Sequence, residues 1–351
     1  MMISAASGFI NQAEKYSRDN AGKSLKKYTL LKKGELAYNH GASKTRQFGC
    51  CFELKEDEAR IPYVYHSFSI ERDEFSPYIA LLLNNPIIDK QLKRLVTSSV
   101  RMDGLLNISY DAYMSITLSI PKLRSEQEKI FLFIDKIDKR IEKQRHLVNL
   151  LKSYKRGLEN SFFNTIYQNK ITIQEILTES NIKTKSDNEY PVLSSTKKGL
   201  FLQDDYFNKQ ASSENTTGYK ILKRNQLVLS PQNLWMGNIN FNNSFETGIV
   251  SPSYKIYDIN PYLNKYYIAC LLKSAMAIKE YTLASEQGAS IVRRNLNLDL
   301  FNKISFSIPP KEEQDRIATL LEIFSKNIEL EESRLFKIYN LKDTLLQKMF
   351  I

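Results

Sequence analysis

The sequence is poor in the residues on which disulfide frameworks and zinc sites depend. Its 351 residues include three cysteines, Cys50, Cys51 and Cys270, and three histidines. Three cysteines are too few for a framework of paired disulfides, and adjacent cysteines lack the usual spacing of zinc ligands. The histidine content leaves few candidates for histidine-based catalysis. This composition favours a reducing, cytoplasmic setting and no metal site.

The sequence also lacks the long apolar segments that membranes require. No stretch reaches the roughly 18 apolar residues of a transmembrane span. Residues 1–20 contain neither a basic region nor an apolar core long enough for a signal peptide. We therefore expect a chain that does not associate with membranes.

What the chain does have is positive charge and enough length for two domains. Lys and Arg number 50 against 39 Asp and Glu, which gives a net charge of +11. At roughly 150 residues per domain, the length predicts two globular domains, each with its own core. The excess of positive charge favours a polyanionic partner, of which nucleic acid is the first candidate.

An internal repeat predicts the architecture. Segments of the first half match segments of the second half in the same order, at a separation of about 190 residues. The segment 27–39 resembles 218–230, YIALLL resembles YIACLL, and 107–121 resembles 295–309. Further matches continue into the long polar segments that follow. Several matches in one order indicate a duplication.

Each repeat combines short alternating runs with one long polar segment. The runs SITLSIP (115–121) and KISFSIP (303–309) predict strands closed by proline. In 125–163 and 312–350, apolar residues recur at three- and four-residue steps and form a narrow stripe between charges, as in helices that pair along a coiled-coil seam. The residues expected to form this seam are Ile134, Ile137, Ile141, Leu151, Leu158, Leu321, Phe324, Ile328, Ile338 and Leu345.

The predicted fold class is α+β, with two globular domains that alternate with two long helices. The segment 169–190 has no counterpart in the first repeat, because Met1 already aligns with Pro191. We therefore expect the first globular domain to be shortened at its N-terminal side. The predicted boundaries are 1–123 and 166–310 for the globular domains, and 124–165 and 311–351 for the helices.

No motif supports a catalytic site. The stretch SRDNAGKS (17–24) ends like a phosphate-binding loop but has Ser17 in place of the first glycine, and no strand leads into it. Glu53 and Lys55 have the spacing of half a nuclease site, which a chain with 25% charged residues produces easily. The run Asn84–Ile87 lacks the second proline and the aromatic residue of an amino-methyltransferase motif. We expect no catalytic and no metal-binding residues.

Clusters of basic and amide residues at equivalent places in the two repeats favour a nucleic-acid surface. Arg and Lys suit guanine edges and phosphates, whereas Asn and Gln suit adenine. The single tryptophan, Trp235, serves either as a stacking group or as a hydrophobic anchor under its loop. The DNA-binding candidates are Ser43, Lys44, Arg46, Arg101, Lys197, Lys198, Gln232, Asn233, Trp235, Gln287, Ser290, Arg293 and Arg294.

The starts of the two long helices carry a family resemblance. SIPKLRSEQEKI (119–130) and SIPPKEEQDRI (307–317) both place Glu-Gln shortly after a proline. Together with the helix ends LKSYKRGLENSFF and LKDTLLQKMF, they resemble the specificity (S) subunits of type I restriction–modification enzymes. The resemblance covers nearly the whole chain, although the globular segments match in outline only.

This resemblance implies two target recognition domains, each reading one half of a bipartite, asymmetric site on double-stranded DNA. It implies long helices that pack antiparallel as a coiled coil, separate the half-sites and dock two methyltransferase (M) subunits, so that the seam residues also serve docking. S-adenosylmethionine is then expected on the M subunits, and ATP and Mg on restriction (R) subunits. The chain itself is expected to bind no cofactor and to catalyse nothing.

Three alternatives remain open from the sequence. A decayed or half-site-only specificity subunit is the first, because of the shortened first domain. An unrecognised DNA-modifying enzyme is the second, and the purified chain would then show methyl transfer or magnesium-dependent cleavage. A coiled-coil scaffold is the third, although a scaffold needs no pair of diverged basic domains.

Overall fold

The structure is a computed structural model that describes residues 1–5, 7–11, 27–43, 46–71, 73–96, 105–206, 215–287 and 294–349. The chain divides into two compact units. The first unit comprises Met1–Arg145 with Ser333–Ile351, and the second comprises His146–Glu332. Both mix helices and strands, as the predicted α+β class requires.

The first unit combines short antiparallel strand pairings with three short helices and segments of the two long helices. Its central sheet has the order β5-β4-β7, β1 pairs with β2, and β3 pairs with β6, all antiparallel. The elements are β1 (Met2–Ser4), β2 (Gly8–Ile10), β3 (Thr29–Lys32), β4 (Leu36–Asn39), β5 (Cys50–Glu53), β6 (Glu58–Ile61), β7 (His66–Phe68), α1 (Ser76–Leu83), α2 (Pro86–Leu95), α3 (Tyr110–Met114) and α4 (Arg124–Phe163).

The core of the first unit is built around β4. Leu36 and Tyr38 on this strand are fully buried, because β4 is flanked by β5 and β7 and covered by helices. The ring of Tyr38 stacks on Tyr113 of α3, with the centroids 4.0 Å apart. Near the end of the chain, Leu346 and Met349 pack against the same core. The C-terminal residues therefore contribute to the core of the first unit.

The second unit has a four-stranded antiparallel sheet, β14-β13-β16-β9, and four further strand pairs. The elements are β8 (Lys170–Thr172), α5 (Ile173–Ile176), β9 (Leu177–Ser180), β10 (Leu193–Thr196), β11 (Gly199–Leu202), α6 (Gln203–Tyr206), β12 (Lys220–Lys223), β13 (Leu227–Leu229), β14 (Ile239–Phe241), β15 (Thr247–Val250), β16 (Lys255–Ile259), α7 (Lys265–Leu272), α8 (Ala275–Leu283), β17 (Ser285–Gln287), β18 (Arg294–Leu296), α9 (Leu298–Lys303), β19 (Ser305–Ser307) and α10 (Lys311–Met349).

The core of the second unit joins this sheet to both long helices. Phe163, at the end of α4, meets Tyr267 of α7 edge to face at 5.6 Å between ring centroids. Ile317 and Leu321 of α10 are buried in the same core. Burying a large apolar side chain contributes roughly 1.5–3 kcal/mol, so these contacts stabilise the helix ends strongly.

The two long helices predicted from the apolar stripes are present, and one set of their buried positions recurs at seven-residue steps. This period is typical of a narrow seam rather than of a broad amphipathic face. None of the helices in the described ranges is both long and apolar enough to cross a membrane. The buried positions at this spacing are Gln127, Ile134, Ile141 and Val148 in α4, and Gln314, Leu321 and Ile328 in α10.

Each unit contains an ion pair between its segments of the two long helices. In the first unit, the carboxylate of Asp138 contacts the ammonium group of Lys342. In the second, Lys152 Nζ lies 2.5 Å from Glu332 Oε1. These groups are partly exposed to solvent, so each pair contributes no more than about 1 kcal/mol. The apolar stripe therefore dominates the stabilisation of the helices.

In the first unit, a buried glutamine ties the start of α4 to the globular region. Gln127 is 0% exposed. Its Oε1 accepts a hydrogen bond from the backbone N–H of Phe75 at 2.9 Å, and Phe75 is the N-cap residue of α1. Its Nε2 donates to the carbonyl of Pro121 at 3.0 Å and to the carboxylate of Glu74. One side chain thus connects three backbone segments.

In the second unit, another buried glutamine ties the start of α10 to the globular region. Gln314 is 2% exposed. Its Oε1 accepts from the backbone N–H of Asn264 at 3.0 Å, and Asn264 is the N-cap residue of α7. Its Nε2 donates to the carbonyl of Pro309 at 2.9 Å. We call Gln127 and Gln314, each with its backbone partners, the glutamine clamps.

Of the two strands predicted from the matching runs 115–121 and 303–309, only the second is present, so the first prediction is wrong. The run 303–309 contains β19, which pairs with β8, whereas 116–120 forms no strand with any described residue. The reason is that a strand needs a partner for its backbone groups. β8 belongs to the segment 169–190, for which the first repeat has no counterpart in sequence.

We expect Leu321→Ala to lower the free energy of unfolding by about 2–5 kcal/mol, because Leu321 is 0% exposed and its truncation leaves a cavity. Urea unfolding followed by circular dichroism measures this change. Ile323→Ala is the matched control on the same helix, since Ile323 is 51% exposed. Its expected effect stays within about 0.5 kcal/mol. Equal effects of the two substitutions would contradict the packing of α10.

Candidate nucleic-acid interface

A tight loop between β13 and β14 carries the candidates Gln232, Asn233 and Trp235. The backbone N–H of Ser230 donates to the carbonyl of Asn238 at 3.0 Å, which closes the loop at its base. Gly237 has φ +85°, and a Cβ there would lie 2.8 Å from Ile278 Cδ1, so this position requires glycine. The loop is therefore held in one conformation by its own backbone and by α8.

Trp235 and Arg294 stack on each other within the second unit. The guanidinium carbon of Arg294 lies 4.5 Å from the centroid of the Trp235 ring, within the range of a cation–π contact. The backbone N–H of Arg294 also donates to the carbonyl of Gln232 at 3.2 Å. The loop and the start of β18 therefore form one surface, and its arginine is held by a planar aromatic support.

Two polar groups of this stack are buried without an acceptor among the described residues. They are the Nε1–H of Trp235 and the Nε–H of Arg294. Buried donors normally have partners, so these two atoms are exceptions among the described residues. A guanidinium has four further N–H donors beyond Nε–H, and those are the donors of the stack that suit a phosphate or a base edge.

Behind the loop, a buried polar network connects it to the β10–β11 hairpin. Ser195 Oγ donates to Asn238 Oδ1 at 2.8 Å, and Asn240 Nδ2 donates to Ser195 Oγ at 2.8 Å. Asn240 Nδ2 also donates to the carbonyl of Thr196 at 2.9 Å, directly before the hairpin turn. Lys273 Nζ donates to Asn240 Oδ1. The hairpin turn is thus anchored to the strand that follows the loop.

The remaining candidates of the second unit lie on connected segments. Lys197 and Lys198 form the exposed turn of the β10–β11 hairpin, next to this network. Gln287 ends β17 and pairs in register with Arg294 of β18. Ser290 and Arg293 lie outside the described residues.

In the first unit, the structure gives Arg46 a structural contact. Its guanidinium donates to the carbonyl of Asn84 at 2.7 Å, beyond the end of α1. Its backbone N–H donates to Ser43 Oγ at 3.1 Å, which forms a small local turn. A role of Ser43 and Arg46 in DNA binding stays a prediction. Lys44 and Arg101 lie outside the described residues.

In the run Asn84–Ile87, both asparagine side chains make structural hydrogen bonds. Asn84 donates through Nδ2 to the carbonyls of Cys51 and Ala80, and Asn85 caps α2 by accepting from the N–H of Ile87. Burial raises the pKa of Cys51 to about 12, which keeps the thiol protonated near neutral pH. SRDNAGKS lies outside the described residues.

The seam residues predicted on the long helices differ in burial. Four of them are buried: Ile134, Ile141, Leu321 and Ile328. The other six are half-buried: Ile137, Leu151, Leu158, Phe324, Ile338 and Leu345. All ten thus face away from bulk solvent at least in part. Their roles in pairing and docking stay predictions.

Sequence reasoning missed the supporting residues of the interface. Ser195, Asn240 and Lys273 were not among the candidates, although they hold the hairpin and the loop together. Asn238, Asn240 and Asn242 alternate along β14, which puts three amides on one face of the strand and was a detectable signal. Lys273 had no such signal, because only the fold brings it to Asn240.

Comparisons with known proteins identify what this arrangement is similar to. A family model described as the type I restriction modification DNA specificity domain matches residues 169–340. A similar fold occurs in a solved structure that is described as the structural basis of complex assembly and conformational transition of the type I R-M system. The matching chain has a TM-score of 0.53 at 12% identity, and the match covers 92% of this chain and 83% of that one.

The S subunit of a type I restriction–modification system from M. genitalium has a TM-score of 0.52 at 13% identity, covering 93% of this chain and 85% of that one. At these identities the likeness establishes the fold. No curated protein matches the sequence.

Burial lowers the pKa of Lys273 from its ordinary 10.5 to about 8. Between these values the unfolded chain binds more protons than the folded one, so this residue makes stability rise with pH. We expect the free energy of unfolding of the wild type, relative to Lys273→Met, to be constant below pH 8 and to rise between pH 8 and 10.5. Urea unfolding across this range measures the difference, and a flat difference would contradict the burial of the ammonium group.

Proposed function

The chain belongs to the family of type I restriction–modification DNA specificity domains, and we propose that it is the DNA-recognition subunit of such a complex. The observation that carries this proposal is the surface formed in the second unit by Arg294 stacked on Trp235, with Gln232 on the same loop. A basic and an amide residue from two separate segments lie there on a rigid support, and the exposed Lys197–Lys198 turn belongs to a hairpin that is hydrogen-bonded to β14. Such a set suits phosphates and base edges together.

In this proposal, Arg294 reads a base. A guanidinium donates two parallel hydrogen bonds to the O6 and N7 of guanine, and each such pair discriminates by roughly 1–3 kcal/mol. Stacking on Trp235 orients the guanidinium plane before DNA arrives, which reduces the entropy lost on binding. Lys197 and Lys198 are exposed and serve as phosphate contacts, which position the domain without reading sequence.

We propose further that the two units are pseudo-two-fold repeats, and that each reads one half of a bipartite site. Each unit contains an antiparallel hairpin (β1–β2 in the first and β10–β11 in the second), an antiparallel sheet, two consecutive short helices and a long helix held by a glutamine clamp. Duplicated readers on a two-fold frame match DNA sites composed of spaced halves. In this proposal, the recognition domains comprise 1–123 and 166–310, and the helical regions comprise 124–165 and 311–351.

The long helices are proposed to pair antiparallel and to dock two M subunits. The ion pairs Asp138–Lys342 and Lys152–Glu332 support antiparallel pairing, since higher numbers on α4 accompany lower numbers on α10. Large apolar side chains exposed on these helices support docking, because such exposure marks interaction surfaces. These are Leu132, Phe133, Leu147, Leu150 and Tyr154 on α4, and Ile323, Leu330, Phe336, Tyr339 and Leu341 on α10.

Catalysis is assigned in this proposal to partner subunits. S-adenosylmethionine is proposed to bind the M subunits, and ATP and Mg the R subunits, in a cytoplasmic complex on double-stranded DNA. The match of residues 169–340 to a DNA specificity domain supports this division.

One observation favours a second candidate, a subunit in which only the second unit reads DNA. In the segment 304–308, Ile304, Phe306 and Ile308 are buried. In the matching segment 116–120, the apolar residues are only half-buried and no described strand pairs with them. The first unit is therefore less completely covered at this place.

Methylation mapping tests the function directly. The chain is co-expressed with an M subunit of this enzyme class in a methylation-free host, and modified adenines are mapped in the genomic DNA by single-molecule sequencing. A bipartite motif with a fixed gap is the expected result. One half-site repeated supports the second candidate, and no methylation by an assembled complex contradicts both.

We expect Arg294→Lys to reduce methylation at the full site roughly ten- to hundredfold, by relaxing one base position in one half-site only. Lysine keeps the charge but loses the fork of donors and the stack on Trp235. The same mapping measures the effect. Arg224→Lys is the matched control, because Arg224 is an arginine of the same unit that forms a surface ion pair with Glu246. Relaxation of both half-sites would contradict the assignment of Arg294 to one of them.

We expect the double substitution Ile137→Asp with Ile141→Asp to prevent helix pairing and assembly with the M subunit. Two carboxylates in the apolar seam are either uncompensated buried charges or force the helices apart. Size-exclusion chromatography of the co-expressed subunits measures assembly. The double substitution Lys136→Asn with Lys143→Asn, at more exposed positions of the same helix, is the control. Normal assembly of the Asp variant would count against the seam.

A further inference from the structure

We infer that Gln127 and Gln314 are positioning residues that set the direction in which each long helix leaves its globular region, and so restrict the gap between the two half-sites. This inference rests on the proposed function. It is carried by the two glutamine clamps, which make two equivalent backbone hydrogen bonds in both units.

The clamps are alike in their partners although their local sequences differ. In each unit, the amide oxygen accepts from the N-cap backbone N–H of a short helix that packs beside the long helix, and the amide nitrogen donates to the carbonyl of the preceding proline. The proline lies six residues before Gln127 but five before Gln314. The same contact at two different spacings indicates that the three-dimensional arrangement, rather than a local turn, requires the amide.

An amide is the side chain suited to this task. It offers one acceptor and two donors without a charge, so both backbone partners can be satisfied inside the core. Glutamate in its place loses the donor, and methionine loses both groups while keeping the length of the side chain. Because both clamps are almost completely buried, water does not replace the lost bonds easily.

The clamps hold the globular region at the very start of the helix, where a small tilt has a large effect. Apolar contacts are non-directional and allow sliding, whereas two hydrogen bonds from one amide define an angle. Polar contacts nearer the surface support the clamp in each unit, such as Arg124 with Asp73 at 2.5 Å and Asn264 with Asp315 at 2.6 Å. Loss of a clamp should loosen the joint, by which we mean the connection between the long helix and its globular region, without disrupting the core.

A loosened joint has a specific consequence for DNA recognition. One added base pair moves a half-site by about 3.4 Å and rotates it by roughly 35° around the duplex. A recognition domain held at a fixed angle rejects such a displaced half-site, whereas a domain that tilts can reach it. The bases read within each half-site depend on loop side chains and stay the same.

The experiment uses the full chain with its M subunit and a plasmid library in which the gap between the two mapped half-sites varies by up to two base pairs. We expect the wild type to methylate one gap length. For Gln127→Met and for Gln314→Met, the preference for that gap over gaps one base pair longer or shorter should fall at least roughly tenfold, with unchanged half-site bases. Gln127→Leu and Gln314→Leu, which are also uncharged and lack both hydrogen-bonding groups, replace the Met variants if those do not accumulate.

Two controls separate positioning from stability. Leu31→Ala removes a buried side chain of β3, away from the clamp and from both long helices, and Glu126→Gln changes an exposed neighbour of Gln127. Both should keep the wild-type gap preference, although Leu31→Ala unfolds at lower urea. A clamp variant that loses stability but keeps the preference overturns the inference, as does an equal loss of preference in Leu31→Ala. A wild type without any bipartite motif instead refutes the proposed function.

Discussion

The structure depends on the need to cover a narrow apolar stripe along two helices of 40 and 39 residues. Such helices are marginal in water on their own, and most of their stability comes from packing. In the first unit, Ile134 and Ile141 of α4 are buried. In the second, Leu321 of α10 and Phe163 of α4 enter the globular core. Because long-helix residues supply some of each core, the helices and the globular regions depend on each other for stability.

Where segments must meet at a defined angle, the chain uses buried amides instead of charges. Gln127 and Gln314 each bridge two backbone groups, and Asn240 bridges Ser195, Thr196 and Lys273. A buried ion pair costs several kcal/mol of desolvation per charge, and an amide avoids most of that cost while still fixing direction. The recognition surface and the helix joints are thus stabilised by the same kind of interaction.

The proposed recognition surface places a basic side chain on a rigid support. Trp235 is held by a loop that Gly237 and Leu234 fix against α8, and Arg294 lies on its ring. A surface with this preorganisation loses little conformational entropy when it binds, which leaves more of the contact energy for discrimination between bases.

The sequence was enough to predict the α+β class, the two long helices and their start near the Glu-Gln pairs. These features depend on helical periodicity and internal repetition, which can be seen in the sequence without the fold. The strand predicted at 115–121 was wrong because strand formation depends on a partner from elsewhere in the chain. Likewise, only the fold brings Arg294 to Trp235 and turns Gln127 into a clamp, since these contacts join residues far apart in sequence. The sequence by itself determined the periodic elements and the charge. The tertiary structure decided which side chains meet, because hydrogen bonds and stacking depend on distances that local sequence does not encode.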